Sequence, residues 1–281
     1  MLMRRAYALL TVALALPACT DDPAPGDQPG PGDWQPLITA SWSLPPGGER
    51  TDDLNLASVD RDRLIAAIRP LAPVGTHHTL LATGDAGLTN TNVIYASGVG
   101  TEALVFPEGT ALRLTAGSLL GLQLHVYNTS DQELSGTSGI EVRELDPATV
   151  VDEIDLFLPG PENLTIAPGT TTTISGTCTV TEPQQVFALF PHMHQLGTHL
   201  KTTLTIGGVP QVLHDAPYSF EHQAIESFAP IQLMPGDSIT TECTWDNPTA
   251  QPVTYGESSD TEMCYSILFR TGSRAQEFCD D

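Results

Sequence analysis

Basic residues are scarce in this chain: 11 Lys and Arg stand against 34 Asp and Glu in 281 residues, a formal net charge of -23. A field of that sign repels phosphate backbones and attracts cations, which excludes nucleic acid as a partner. The carboxylates are scattered rather than clustered, so most of them serve solubility. Charge of either sign is also low, at 16% against 40% hydrophobic residues, which leaves enough apolar side chain for a substantial core in one or two domains. Beyond the N-terminal segment no apolar run is long enough to cross a bilayer. Cysteine is missing between Cys19 and Cys178 and no CxxC pair occurs, so a four-cysteine zinc site has no support. Helical periodicity is nearly absent as well, with only Asp60 to Ile68 hinting at a helix.

The N-terminus has the layout of an export signal. Arg4 and Arg5 precede an apolar run from Ala6 to Ala15, followed by Leu16-Pro17-Ala18-Cys19, which looks like a bacterial lipobox. Residues 1–19 are therefore expected to be a lipoprotein signal, with Cys19 as the lipid-bearing residue. Residues 20–33 are almost all Asp, Pro, Gly and small residues, a disordered tether with nothing to bury. The expected location is outside the cytoplasm, on the periplasmic or exterior side of a bacterial membrane, held there only by lipid.

From Trp34 onward short alternating stretches rich in Thr, Val, Ile and Leu are separated by turns such as Pro45-Pro46-Gly47-Gly48, Pro168-Gly169 and Pro235-Gly236-Asp237. That punctuation predicts an all-β chain of sandwiches or barrels. A further short strand at Ile154 to Leu158, before the turn Pro159-Gly160-Pro161, puts the boundary between two similar domains near residue 150, giving 34–150 and 151–281. No internal sequence repeat marks the division.

The four cysteines after Cys19 (Cys178, Cys243, Cys264 and Cys279) all fall in the second half. In an exported protein they should form two disulfides, and counting alone permits three connectivities. The histidines carry more chemistry. In Leu120-Gly121-Leu122-Gln123-Leu124-His125-Val126-Tyr127 a period of two sends Gln123, His125 and Tyr127 away from the aliphatic face. In Phe190-Pro191-His192-Met193-His194 the His-x-His spacing sets both imidazoles on one face, where they can share a cation. His77 and His78 are neighbours, which point to opposite faces of a regular strand, so both reach one metal only at a strand end or bulge. Each motif alone is weak, since strand histidines are commonly just exposed.

Their joint order is more specific. A His-His-x-Leu-Leu segment (His77 to Leu81), a Gln-x-His strand (Gln123, His125), a His-x-His strand (His192, His194) and an acidic residue before Met263-Cys264 follow one another, accompanied by Thr241-Glu242-Cys243-Thr244-Trp245 and by Tyr218-Ser219-Phe220 with Gln223. This series resembles the copper type II, ascorbate-dependent monooxygenase family, strongly over 138–279 and more thinly before. The resemblance implies two antiparallel, jelly-roll-like β-sandwich domains with a copper on each facing surface. It implies an electron-supplying copper on His77, His78 and His125, and a copper on His192, His194 and Met263 where oxygen and substrate react, with ascorbate as electron donor. It also implies the disulfides Cys178–Cys279 and Cys243–Cys264. The donor types suit the roles, because imidazole binds copper in both oxidation states and the thioether favours Cu(I).

Departures from the family bear on the substrate. Phe190 stands where peptide-amidating members carry a carboxylate-gripping arginine, and Tyr265 and Ile267 replace Asn and Tyr. A peptidylglycine substrate is thus unsupported, and the small-molecule or peptide substrate that reacts with O2 here should be neutral, aromatic or aliphatic. Of the spare histidines, His199 reads as exposed or structural, His214 as a surface residue, and His222 as a surface residue or a support for a copper. The competing function is a copper-binding or copper-delivering surface lipoprotein without turnover. Retention of two unlike, complete donor sets favours catalysis over a carrier.

Overall fold

The computed structural model describes residues 34–51, 55–84, 91–256, 260–273 and 278–279, so Cys19 and the tether lie outside the described residues. In chain order the strands of the first half are β1 (Gln35–Leu44), β2 (Glu49–Thr51), β3 (Asn55–Ser58), β4 (Arg63–Leu71), β5 (Thr76–Gly84), β6 (Thr91–Ser97), β7 (Leu104–Val105), β8 (Thr110–Leu114), β9 (Leu119–Tyr127) and β10 (Leu134–Glu144). Then come β11 (Asp152–Pro159), β12 (Thr165–Ile166), β13 (Thr170–Thr179), β14 (Gln184–Met193), β15 (Gly197–Ile206), β16 (Val209–Pro217), β17 (Glu226–Leu233), β18 (Ser238–Asn247), β19 (Val253–Thr254), β20 (Cys264–Thr271) and β21 (Phe278–Cys279). Local chemistry explains most of them. In β18 buried and less buried positions alternate along nearly the whole strand, the mark of a strand with one face in a core.

The helix expected at Asp60 to Ile68 is not formed; the segment enters β4, between β10 and β8. Leu64 through Ile68 are all buried, so both faces of this strand are covered. A strand covered on both faces reads as an unbroken apolar run, which period alone cannot tell from a helix.

Among the described residues, one large sheet runs β1-β10-β4-β8-β11-β20-β14-β17, joining both halves where β8 pairs in parallel with β11. Against its first part lies the sheet β2-β9-β5-β6, and against its second the sheet β13-β18-β15-β16. The chain is therefore all-β, with stacked antiparallel sheets. Ile65, Leu81, Leu122, Leu124 and Val142 centre the first core, which continues over the large sheet to Phe187, Phe190, Tyr265, Ile267 and Phe269. Phe106 of the first half stands 6.0 and 6.3 Å from Phe187 and Phe269 of the second, ring centre to ring centre. Between β14/β20 and β18/β15 lie two further clusters, one around Val186, Leu189, Leu204 and Leu268, the other around Met193, Leu200, Trp245 and the Cys243–Cys264 disulfide.

The two halves repeat one another, although the sequence hides it. The sheets β2-β9-β5-β6 and β13-β18-β15-β16 share the same antiparallel order, as do β1-β10-β4-β8 and β11-β20-β14-β17. Each half also closes on the same side-chain knot. Asn128 Nδ2 donates to the carbonyls of Leu44, Pro45 and Gln132, and its Oδ1 accepts from Ser130 N and Oγ. Asn247 Nδ2 donates to those of Ile166, Ala167 and Gln251, and its Oδ1 accepts from Thr249 N and Oγ1. Five hydrogen bonds satisfy a fully buried amide in each case, so the Asn is fixed while the residues around it are free to diverge.

Candidate metal centres

The first histidine group sits where β5 crosses β9. Thr76 pairs with Val126 and His78 with His125, and the register slips between them, leaving His77 as the extra residue of a bulge. The bulge re-aims the chain so that neighbouring histidines turn to one side. His77 lies 4.4 Å from His78 and 4.8 Å from His125 by ring centres, and His78 lies 5.4 Å from His125. One ligand atom from each ring falls within 4.8 Å of the others. Glu49, on β2, holds His125 Nε2 at 2.7 Å, which leaves His125 Nδ1 facing His78 Nδ1 at 3.3 Å. Two imidazole nitrogens bound to one metal at ~2.0 Å stand roughly 2.8 Å apart at a right angle and roughly 3.3 Å apart at a tetrahedral one, so the donor set fits a metal ion. A carboxylate on the far nitrogen of a ligating ring fixes its tautomer and raises its basicity. Glu49 was not singled out by sequence; only the pairing of Thr51 with His125 brings β2 there. Gln123 lies two residues before His125 on the same strand, half-buried.

The second group is built on β14 and β20. His192 pairs with Tyr265 and Met193 with Cys264, and one more step of that register sets Met263 opposite His194. Alternation then places His192, His194, Met263 and Tyr265 on one face while Met193 and Cys264 turn into the other core. The ring centres of His192 and His194 are 5.2 Å apart. His194 Nδ1 lies 2.9 Å from the carbonyl of Thr261. A carbonyl can only accept, so Nδ1 carries the proton and Nε2 keeps its lone pair. His192 Nδ1 lies 3.0 Å from Gln223 Oε1, and the amide orientation is set by Gln223 Nε2 donating to Phe220 O at 3.1 Å. Both rings therefore present Nε2 as the open donor, and with the Met263 thioether the set suits copper.

Burial lowers the His192 pKa from its ordinary 6.5 to about 4, helped by the nearby His194 ring, so His192 is neutral at neutral pH and ready to ligate. Glu262 locks the Met263 segment to the His194 turn. Its fully buried carboxylate accepts from His194 N at 2.9 Å, Leu196 N at 2.7 Å and Trp245 Nε1 at 2.9 Å. Burial pushes its carboxyl above the ordinary range, and these three donors pull it back. Phe190 is buried and stacks on His192 at 5.8 Å, and with Tyr265 and Ile267 it belongs to the core that the halves share. Tyr265 donates its hydroxyl to Glu162 at 3.2 Å and accepts from Tyr255 Oη, 2.9 Å away. The disulfides are Cys178–Cys279 and Cys243–Cys264.

The repeat shows why the halves differ in donors. Register and bulge in the second half pair Gly197 with Trp245 and His199 with Thr244, so His199 and Thr244 occupy the places of His78 and His125. A lone imidazole there is bound to Asp215 at 3.1 Å. Conversely Pro73, whose carbonyl accepts from Thr76 N, stands where His194 accepts from Gly197 N. Each half thus carries one candidate donor set, at non-equivalent places of a shared fold. His214 differs from the surface residue expected: its side chain is 9% exposed and its Nδ1 meets Glu226 at 3.0 Å. A cavity lined by Arg61, Arg113, Glu144 and Glu153 shares no residue with either group.

Residues 154–280 match the copper type II ascorbate-dependent monooxygenase, C-terminal domain. Peptidyl-glycine alpha-amidating monooxygenase A of Xenopus laevis is 27% identical over 253 residues, 78% of this chain and 26% of its own length. Tyramine beta-hydroxylase of Caenorhabditis briggsae is 31% identical over 109 residues, 36% of this chain and 19% of its own length. The chain thus spans about a quarter or less of either relative. A solved structure of infectious bursal disease virus, at 11% identity and a TM-score of 0.21 over 83% of this chain and 70% of that chain, is too remote to bear on fold or function.

Proposed function

We propose that this chain, which resembles the copper type II ascorbate-dependent monooxygenases and carries the match to their C-terminal domain, is itself a copper monooxygenase that hydroxylates a substrate C–H bond with O2 and ascorbate or a similar reductant. The observation that supports the reading is that His77, His78 and His125 bring one ligand atom each within 4.8 Å of the others, while His192 and His194, 5.2 Å apart, have Nδ1 engaged and leave Nε2 open. His77, His78 and His125 would hold one copper and His192, His194 and Met263 the other. Bound copper supplies the electron transfer and oxygen chemistry that no side chain here can perform.

The rest is the work of the chain's own residues. Glu49, Gln223 and the Thr261 carbonyl orient the rings and fix where their protons sit. Glu262 and the neighbouring disulfide hold Met263 in register. Phe190, buried and stacked on His192, puts an apolar side chain rather than a cation beside the second site, which supports a neutral substrate rather than a peptide C-terminus. The reading extends to export and lipid attachment at Cys19, tested by mass spectrometry of the protein from native membranes: a mature chain without lipid at that residue would refute the anchor.

The test of function is copper stoichiometry together with ascorbate-dependent oxygen uptake over a panel of neutral aromatic and aliphatic substrates, using the chain after Cys19. Two coppers per chain with substrate-dependent uptake, lost in Met263→Ala, is the expected result. Copper held at both sites without uptake would favour the copper-holding lipoprotein instead, and no bound copper would remove both readings.

A further inference from the structure

The first histidine group offers three imidazoles, and a tetragonal Cu(II) ion takes four donors in its plane. A further ring stands near the trio: His222, from the turn Phe220–His222 of the second half, 6.1 Å from His77 between ring centres. With imidazole nitrogens ~2.0 Å from a metal, ring centres of adjacent ligands in a tetragonal site stand roughly 4.5 Å apart and those of opposite ligands roughly 6 Å apart. His77 has two rings near the first spacing, His78 at 4.4 Å and His125 at 4.8 Å, and one at the second, His222 at 6.1 Å; His78 and His125, the other opposite pair, stand 5.4 Å apart and must open slightly to complete the plane.

The backbone that carries His222 is held against this site. Gln223, the next residue, is anchored by its bonds to His192 and to the Phe220 carbonyl. Its main chain lies against Gly98, where a Cβ would meet Gln223 O at 3.0 Å and His78 Cδ2 at 3.5 Å, so the bare glycine lets the turn sit a few tenths of an ångström closer than a side chain would allow. The His222 ring itself is exposed, with Nδ1 3.4 Å from Ser219 Oγ, which leaves Nε2 for a metal and the ring able to pivot without breaking a packed core.

We propose that His222 is a fourth imidazole for Cu(II) at the His77, His78 and His125 site, so that the copper of the first half is completed by the second. This rests on the copper reading of that site. Because His222 and Gln223 are consecutive, one peptide unit then joins a donor of the first centre to the hydrogen bond that orients His192 in the other. Cu(I), content with fewer donors, releases the ring, so the turn follows the oxidation state of the first copper.

The test is pulsed EPR of the chain after Cys19 carrying His192→Ala and His194→Ala, loaded with one equivalent of Cu(II), with and without His222→Ala. The expected result is four coupled imidazoles falling to three, with Cu(II) binding weakened about tenfold in the His222 variant. Should the double variant fail to fold, the chain with both ligand sets intact, loaded at both sites, serves in its place, and removing His222 must lower the total imidazole count by one. Three imidazoles and equal affinity with and without His222 overturn the proposal. Failure of Cu(II) to bind even with His222 present overturns the copper reading of the site instead.

Discussion

Replacing Glu262 tests the second centre most directly, because the whole seat of Met263 hangs on one buried carboxylate. Its Oε2 accepts from His194 N and Trp245 Nε1 and its Oε1 from Leu196 N, with the side chain fully buried. Hydrogen bonds to a charged group contribute about 1.5–3 kcal/mol each. In Glu262→Gln the amide keeps two bonds at best, with its NH2 turned to Leu196 N. The expected loss is one charge-assisted bond plus two opposed N–H groups, about 2–4 kcal/mol. Glu262→Ala leaves three buried donors without partners at ~1–3 kcal/mol each, a loss of about 5 kcal/mol. Guanidinium denaturation with the disulfides intact measures both, with the slope of the transition as a check that only stability changed. Cu(I) affinity of the second site should fall together with stability, since the segment that carries Met263 is released. A Gln variant within ~0.5 kcal/mol of the parent would refute the claim that these bonds hold the site.

Other consequences follow from the same geometry. Metal-free protein should lose stability as pH falls: the folded His192 has its pKa lowered from 6.5 to about 4, so the contribution of the neutral ring is full above pH 6.5 and is lost on the way down to about 4. The loss is at most about 3 kcal/mol, and His192→Gln should flatten the curve in that window. Gln223→Leu and Glu49→Gln should each weaken copper at their own site by about 10- to 100-fold with little effect on the fold, read by competition titration. Gly160→Ala should destabilise by at least ~2 kcal/mol, because a Cβ there would fall 1.9 Å from the Cys264 carbonyl and must part β11 from β20. Removing the Cys243–Cys264 bridge, which spans 21 residues, should cost about 3 kcal/mol by chain entropy and lower copper retention at the second site, whose Met263 is its neighbour.

The amino-acid sequence by itself determined the all-β class, through period-two alternation and Gly/Pro punctuation, and singled out two candidate donor sets, through an ordered series of short motifs. It also carried the oddity of adjacent histidines, which a bulge between Thr76 and His78 resolves. β4 defeated it, because covering both faces of a strand erases the alternation by which a strand is read. Glu49, Gln223 and Glu262 drew their roles from partners 76, 31 and 68 residues away. Nothing local in their sequence marks such a role, since an orienting acceptor needs only a lone pair in the right place. The repeat of the two halves likewise became visible only in strand order and in the Asn128 and Asn247 knots, for backbone pairing outlasts side-chain identity. Tertiary structure alone brought His222 of one half to within 6.1 Å of His77 of the other, ring centre to ring centre: sequence supplies the imidazoles, and the packing of one turn against Gly98 sets two of them side by side.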